Sequence, residues 1–522
     1  MHDPDSTVSP SRRIMLKGGA AAISAAFAGP IAALASRVAV ASPTDACIPG
    51  AASIQVASPY GALAPVNDLI TGLPLIQLPP GFSYKSYGWT GDLMADGLAT
   101  PGAHDGMGVV RAKRVGRSLE IVLVRNHERS TSTNPANIMG ASLSAVAKHD
   151  TGFTGTNYQI GGNTNVVWRD GNWVESYTSF GGLNRPCAGG STLWESWLSN
   201  EEIRSNNVSS TGKKHGYIFE VPADISLTNV NPIVDMGRMA HEASAIDPET
   251  GYWYLTEDQG NANTLYRFRP TNLDGGLNSL HAGGQLQGLK VKGVMNADLR
   301  FPTLCQEYEI EWVDIPNPDL DGAAIAIAVP GTGATTSASG PFVQAYANGA
   351  AVFGANEGCW VANGLVYFTD KQVVGANQST AQRYGRIWAL DIATNTLKAI
   401  LVLNDVTVGN SPDNLCVSPR GGVLFNEDGG GSGFNAAGQS VSVAAQRLMV
   451  LRPDGKSYAF AAHNFNFSAA QLSAVGKTGA GDRRNTEWAG SCFSPDGRVL
   501  FVNLYTPGIT LAISGPWAKG TL

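Results

Sequence analysis

The sequence predicts an all-β fold, a six-bladed β-propeller with loop insertions and room for short helices. Three observations predict it. First, the segments "EASAIDPETGYWYLTED" (242–258), "EGCWVANGLVYFTD" (357–370), "DNLCVSPRGGVLFNED" (413–428) and "EWAGSCFSPDGRVLFVNLY" (487–505) share one outline. Each starts at an acid, runs through small and apolar residues into a turn, and returns through alternating aromatic and β-branched residues, which is a hairpin signature. "CAGGSTLWESWLSNEE" (187–202) follows the same outline, and "SLEIVLVRNHE" (118–128), preceded by "HDGMGVV" (104–110), gives a weaker sixth. Second, the return strands end near Glu128, Glu202, Asp258, Asp370, Asp428 and Asn503, at intervals of 74, 56, 112, 58 and 75 residues. Repeats of fixed outline with variable insertions mark a propeller. Third, 62 glycines and 28 prolines suit many turns between short strands.

Taken in chain order, the N-terminus comes first. Ser11, Arg12 and Arg13, then Ile14-Met15-Leu16-Lys17 and an alanine-rich apolar run, have the layout of a twin-arginine export signal over 1–41. The run is too short and too rich in Gly and Ala to read as a membrane span. Cleavage after Ala35 or Ala41 is expected, giving a periplasmic or secreted protein with no stable membrane association and the twin-arginine translocation machinery as export partner. Residues 42–522 then form a single propeller domain. The long interval holds an inserted segment around 270–350, rich in Gly, Ser and Ala and read as inserted loops with room for short helices. A propeller closes on itself, so a monomer is expected. The net charge of −6 and the lack of a basic stripe argue against nucleic acid binding.

The hairpins imply a site. An antiparallel hairpin puts the start of its first strand and the end of its second at the same edge, and the first strand of each blade lines the central channel. Cys187, Glu242, Glu357, Asp413 and Glu487 should therefore gather at one mouth with the strand-end acids Glu128, Glu202, Asp258, Asp370 and Glu427. Glu201 is an alternative to its neighbour Glu202. So many carboxylates need a cation, because crowded like charges are costly. Ca²⁺ accepts six to eight oxygen ligands. A thiolate at Cys187 instead favours a softer transition metal such as iron or zinc.

Other signals read as structural. Cys359, Cys416 and Cys492 lie on first strands as small core residues. In an oxidising compartment Cys47–Cys305 is one candidate disulfide, although spacing alone does not assign the pairing. "HEASA" (241–245) lacks the second histidine of a zinc-protease helix, and "GGGSGF" (429–434) opens no clear helix and reads as a loop.

With these motifs in hand, the chain resembles the PhoX-type alkaline phosphatases. The resemblance is carried by "NHE" (126–128), "CAGGSTLWESWLSNEE" (187–202), "GRMAHEASAID" (237–247), "YLTED" (254–258), "NEGCWVANGLVYFTD" (356–370), "SPDNLCVSPRGGVLFNEDG" (411–429) and "EWAGSCFSPDGRVLFVNLYTPG" (487–508). It implies hydrolysis of a small-molecule phosphate monoester at a mixed cluster of Ca²⁺ and Fe³⁺. Cys187, Glu202 or Glu201, Glu242 and Glu357 match the iron ligands; Glu128, Asp258, Asp413, Glu427 and Glu487 would serve calcium. No side-chain nucleophile is implied, the attacking group being a metal-bound oxo or hydroxo.

The chain departs from the family pattern at several points. The family's Arg-Pro-Glu is Ala355-Asn356-Glu357 here, so an arginine that helps to bind phosphate is missing. Thr506 stands where a histidine is usual, Leu193 replaces proline and Asn200 replaces cysteine. Lys371, Arg125 and Arg238 are the candidate substitutes for that arginine. The alternatives are an altered substrate, such as a phosphodiester or another ester, or a non-enzymatic calcium-binding propeller.

Overall fold

A computed structural model describes residues 47, 52–133, 146–203, 208–327, 336–371 and 384–522. The expected leader, 1–41, lies outside the described residues.

All six predicted hairpins are present. Their first strands are His104–Val115, Pro186–Ser191, His241–Ile246, Asn356–Ala362, Pro412–Val417 and Trp488–Phe493. Their return strands are Ser118–His127, Ser196–Glu201, Trp253–Glu257, Leu365–Asp370, Val423–Glu427 and Val499–Leu504. Each hairpin leads an antiparallel sheet that grows outward. Each first strand touches the next in chain order, and the last returns to the first. The result is a propeller-like, all-β architecture, as the sequence predicts.

Glycine makes the close approach of inner strands feasible. A Cβ added at Gly190 would lie 1.9 Å from the Ser244 carbonyl oxygen of the next inner strand, far inside any real contact. Further out, large aromatics fill the spaces between sheets, and Trp253, Trp388 and Trp488 are fully buried. The last sheet takes its outer strand, Ser83–Tyr87, from the start of the described chain, pairing it with Ile509–Ser514 and so closing the ring.

The segment around 270–350 differs from the loops expected. It contains two long strands, Gly284–Val291 and Glu307–Ile315. The second also pairs with Thr396–Val402, joining two neighbouring sheets into one of nine strands. The local bias toward small residues masked "QLQGLKV", whose Leu286, Leu289 and Val291 are buried. The short helix expected there is Gly340–Ala347, capped by the Ser339 side chain. Cys47 and Cys305 form a disulfide, and Cys359, Cys416 and Cys492 are free and buried. Among the described residues no helix is long and apolar enough to cross a membrane.

Candidate metal centre

The six hairpins carry the same irregularity at the same place. Each has a closing pair on the mouth side of it: His104–His127, Pro186–Glu201, His241–Glu257, Asn356–Asp370, Pro412–Glu427 and Ala489–Asn503, the last followed by one further pair, Trp488–Leu504. From that pair to the next, the inner strand spends three residues and the return strand two. That is a β-bulge, which bends the strand and re-aims a side chain. The first residue of the bulge is Asp105, Cys187, Glu242, Glu357, Asp413 and, in the last hairpin, Gly490.

Those bulge residues converge. Ligand atoms of Asp105, Glu128 and Cys187 lie within 4.8 Å of one another, as do those of Cys187, Glu202 and Glu242, and those of Glu242, Glu357 and Asp413. Cys187 and Glu242 each belong to two of these groups, so the three form one continuous arc. Asp258 adjoins it, raising the pKa of Glu202 and Glu357, and Glu487 neighbours Asp105 and Asp413. Burial first, and then the neighbouring acids, push Asp105, Glu202, Glu242, Glu357 and Glu487 well above the usual carboxylate range. The same two causes push up the Cys187 thiol, which donates to Asp105 Oδ2 at 3.1 Å.

The residues after the closing pairs complete the mouth: Glu128, Glu202, Asp258, Lys371 and Asp428. Where four hairpins place an acid, one places a lysine. Lys371 Nζ reaches Asp428 at 2.5 Å, Asp413 at 2.9 Å and Glu357 at 3.6 Å. A second cation, Arg185, bridges Glu128 and Glu202 at 2.7 and 2.5 Å. The Tyr505 hydroxyl donates to Glu128 at 2.6 Å.

The return-strand residue of each closing pair faces the other way and is tied to the third strand of its sheet or to the segment leading into it. Glu201 accepts from the Gly216 N–H at 2.7 Å and pairs with His215 Nδ1 at 2.7 Å. Glu257 accepts from the Tyr266 hydroxyl. Asp370 pairs with Arg386, Glu427 with Arg447 at 2.6 Å, and Asn503 accepts from Thr510. Two proposed metal ligands, Glu201 and Glu427, are therefore such tethers rather than mouth residues. Alternate residues of a strand face opposite sides, so a slip of one residue exchanges tether for mouth. Asp370, placed at the mouth by the hairpin argument, belongs to the same set.

Two of the three expected substrate cations are also elsewhere. Arg125 is fully buried, with Nη1 on Thr510 at 2.7 Å and Nε on Thr164, and burial draws its pKa down to about 9. Arg238 is engaged by Asp319 and Asp321. Lys371 is at the mouth as expected. Ala355 is only 4 % exposed, and its N–H donates to Asp370 Oδ1 at 3.0 Å.

The sequence reading missed Asp105, Asp428 and Arg185. A signal for Asp105 existed in "HDG" (104–106), which lines up with "PCA", "HEA", "NEG" and "PDN" at the other bulges.

The donor set suits metal ions. Asp105 Oδ1 and Glu242 Oε2 are buried without a hydrogen-bond partner, an expensive state unless a cation meets them. Carboxylate oxygens supply hard ligands, and Cys187 supplies a single soft one.

Fold and site together define a β-propeller-type protein whose mouth is lined by acids and a single thiol. The family model for alkaline phosphatase PhoX matches residues 58–508. The chain belongs to the PhoX alkaline phosphatase family. Among solved structures it is similar to Pseudomonas fluorescens PhoX in complex with vanadate, a transition state analogue, at 15 % identity and a TM-score of 0.57. That match covers 88 % of this chain and 99 % of the other. A gluconolactonase from Xanthomonas campestris matches at 11 % identity over 67 % of this chain and 78 % of its own, with a TM-score of 0.33. No curated protein matches the sequence.

Proposed function

We propose that this chain is an exported, metal-dependent phosphatase that hydrolyses phosphate monoesters at an iron–calcium cluster in the propeller mouth. The observation that supports it most is the arc of bulge residues Asp105, Cys187, Glu242, Glu357 and Asp413, with its unpartnered buried carboxylate oxygens. Family membership supports the reaction class.

In this reading Cys187, Glu202, Glu242 and Glu357 hold iron, and Asp105, Glu128, Asp258, Asp413 and Glu487 serve calcium. The bound ions would supply Lewis-acid charge to the phosphoryl oxygens. The protein's part is to hold the ligands and set their protonation. Without a cation the raised pKa values keep protons on part of the arc, and binding must displace them, the Cys187 proton included. Lys371 offsets the charge of Glu357, Asp413 and Asp428. Export to an oxidising compartment such as the periplasm is supported by the Cys47–Cys305 disulfide, and the proposed twin-arginine route rests on Arg12-Arg13 and the apolar run that follows.

The test is release of p-nitrophenol from p-nitrophenyl phosphate by metal-replete protein at alkaline pH, with calcium present. Turnover abolished by chelation supports the reading, and no turnover refutes it. A second reading, a phosphodiester substrate, is favoured by the buried Ala355, which brings no cation to its strand. It predicts faster hydrolysis of bis(p-nitrophenyl) phosphate than of the monoester.

A further inference from the structure

Arg185 has a role that neither the motif nor the metal arc explains. It sits immediately before the inner strand Pro186–Ser191 with φ of +51°, an uncommon conformation for a non-glycine residue. Its backbone is fixed on both sides: its N–H donates to the Arg129 carbonyl at 3.0 Å, and its carbonyl accepts from Glu202 N–H at 2.8 Å. This places the guanidinium over the junction between two sheets. Nε donates to Glu128 Oε1 at 2.8 Å, and Nη2 reaches Glu128 and Glu202. Nη1 meets no partner among the described residues.

Exposure separates this arginine from the acids beneath it. Its side chain is 42 % exposed, whereas those of Glu128 and Glu202 are 11 and 10 % exposed. Both acids share groups with Cys187. The guanidinium thus covers the acids that flank Cys187 from the more exposed side, with Nη1 not used by either carboxylate. Lys371 lies at the other end, on Glu357 and Asp413, and its side chain is 19 % exposed. The carboxylates hold Nε and Nη2 in place, and the fixed, charged Nη1 that remains suits a phosphoryl oxygen.

We propose that Arg185 binds the phosphoryl group of the substrate, its Nη1 donating to a non-bridging oxygen while Glu128 and Glu202 fix the guanidinium through Nε and Nη2. This rests on the phosphatase reading and adds a specificity residue to that site.

The experiment uses metal-saturated Arg185→Ala and Arg185→Lys proteins. Inhibition by inorganic phosphate, KM for p-nitrophenyl phosphate and bound metal are measured side by side. At equal metal content, Arg185→Ala is expected to raise the phosphate inhibition constant about 10- to 100-fold. Arg185→Lys, which keeps charge without the fork, is expected to fall between Arg185→Ala and the wild type. If Arg185→Ala binds metal more weakly, the comparison is made at the metal concentration that restores wild-type content. Wild-type phosphate affinity in that protein overturns the proposal. Wild-type protein that neither turns over substrate nor binds phosphate refutes the phosphatase reading instead.

Discussion

Glu242 belongs to two groups of the arc, and neutralising it should stabilise the chelated protein and leave the metal-loaded protein almost unchanged. The perturbation is Glu242→Gln, which keeps the shape and removes the charge. Its ligand atom lies within 4.8 Å of those of Cys187 and Glu202 on one side and Glu357 and Asp413 on the other. At an effective dielectric of about 20, two unit charges at that distance repel by about 3.5 kcal/mol. Relief from a single ionised neighbour should therefore stabilise chelated protein by about 3 kcal/mol near pH 8, which is about 3 °C for a chain of this length. Metal-loaded protein should lose most of that gain. Loss of a ligand shared by two groups should weaken binding by about 100-fold, which removes about 2.8 kcal/mol at saturating metal and nearly offsets the relief of repulsion. The assay is scanning calorimetry of both proteins, chelated and reloaded, with metal content measured on the same samples. A shift as large with metal as without it, or undiminished metal in the variant, would refute the argument that these acids are held together for a cation.

The remaining predictions test other parts of the account. Cys187→Ala should lower iron content and activity together while leaving the fold intact by circular dichroism; full activity would remove Cys187 from the site. Chelated wild-type protein should lose stability as pH rises from about 4.5, because the folded acids bind protons that the unfolded chain has released, and saturating metal should flatten that slope in denaturant titrations. His215, which burial alone would hold down, is raised to about 10 by Glu201 and Asp150. Its contribution to stability is complete below about 6.5 and is lost as pH rises toward 10, and His215→Gln should remove that slope without changing metal content. Gly190→Ala should destabilise by about 3 kcal/mol, because the added methyl meets the Ser244 carbonyl at 1.9 Å, as read from the urea midpoint.

The hairpins were legible because their alternation and turn residues are local properties of the chain. So were Cys187, Glu242, Glu357 and Asp413, since each opens a first strand. Glu427 was taken for Asp428 because a pattern of period two does not reveal which of two adjacent acids faces the channel; the bulge and the Arg447 tether decide it. The same ambiguity joined Glu201 to Glu202. Asp105 was hidden because its hairpin lacks the acid-first outline, "HDG" standing eleven residues before the end of its strand. Arg125 and Arg238 were misplaced because their partners, Thr510 in one case and Asp319 in the other, are distant in sequence. Arg185 was overlooked for a related reason, as its position depends on a backbone conformation and on Glu128 from the preceding sheet.

Elemental analysis of the protein purified after native export tests the central claim most directly. The account predicts calcium and iron together in the folded protein, with iron lost on substitution of Cys187. Natively exported, folded protein that carries neither metal would contradict it.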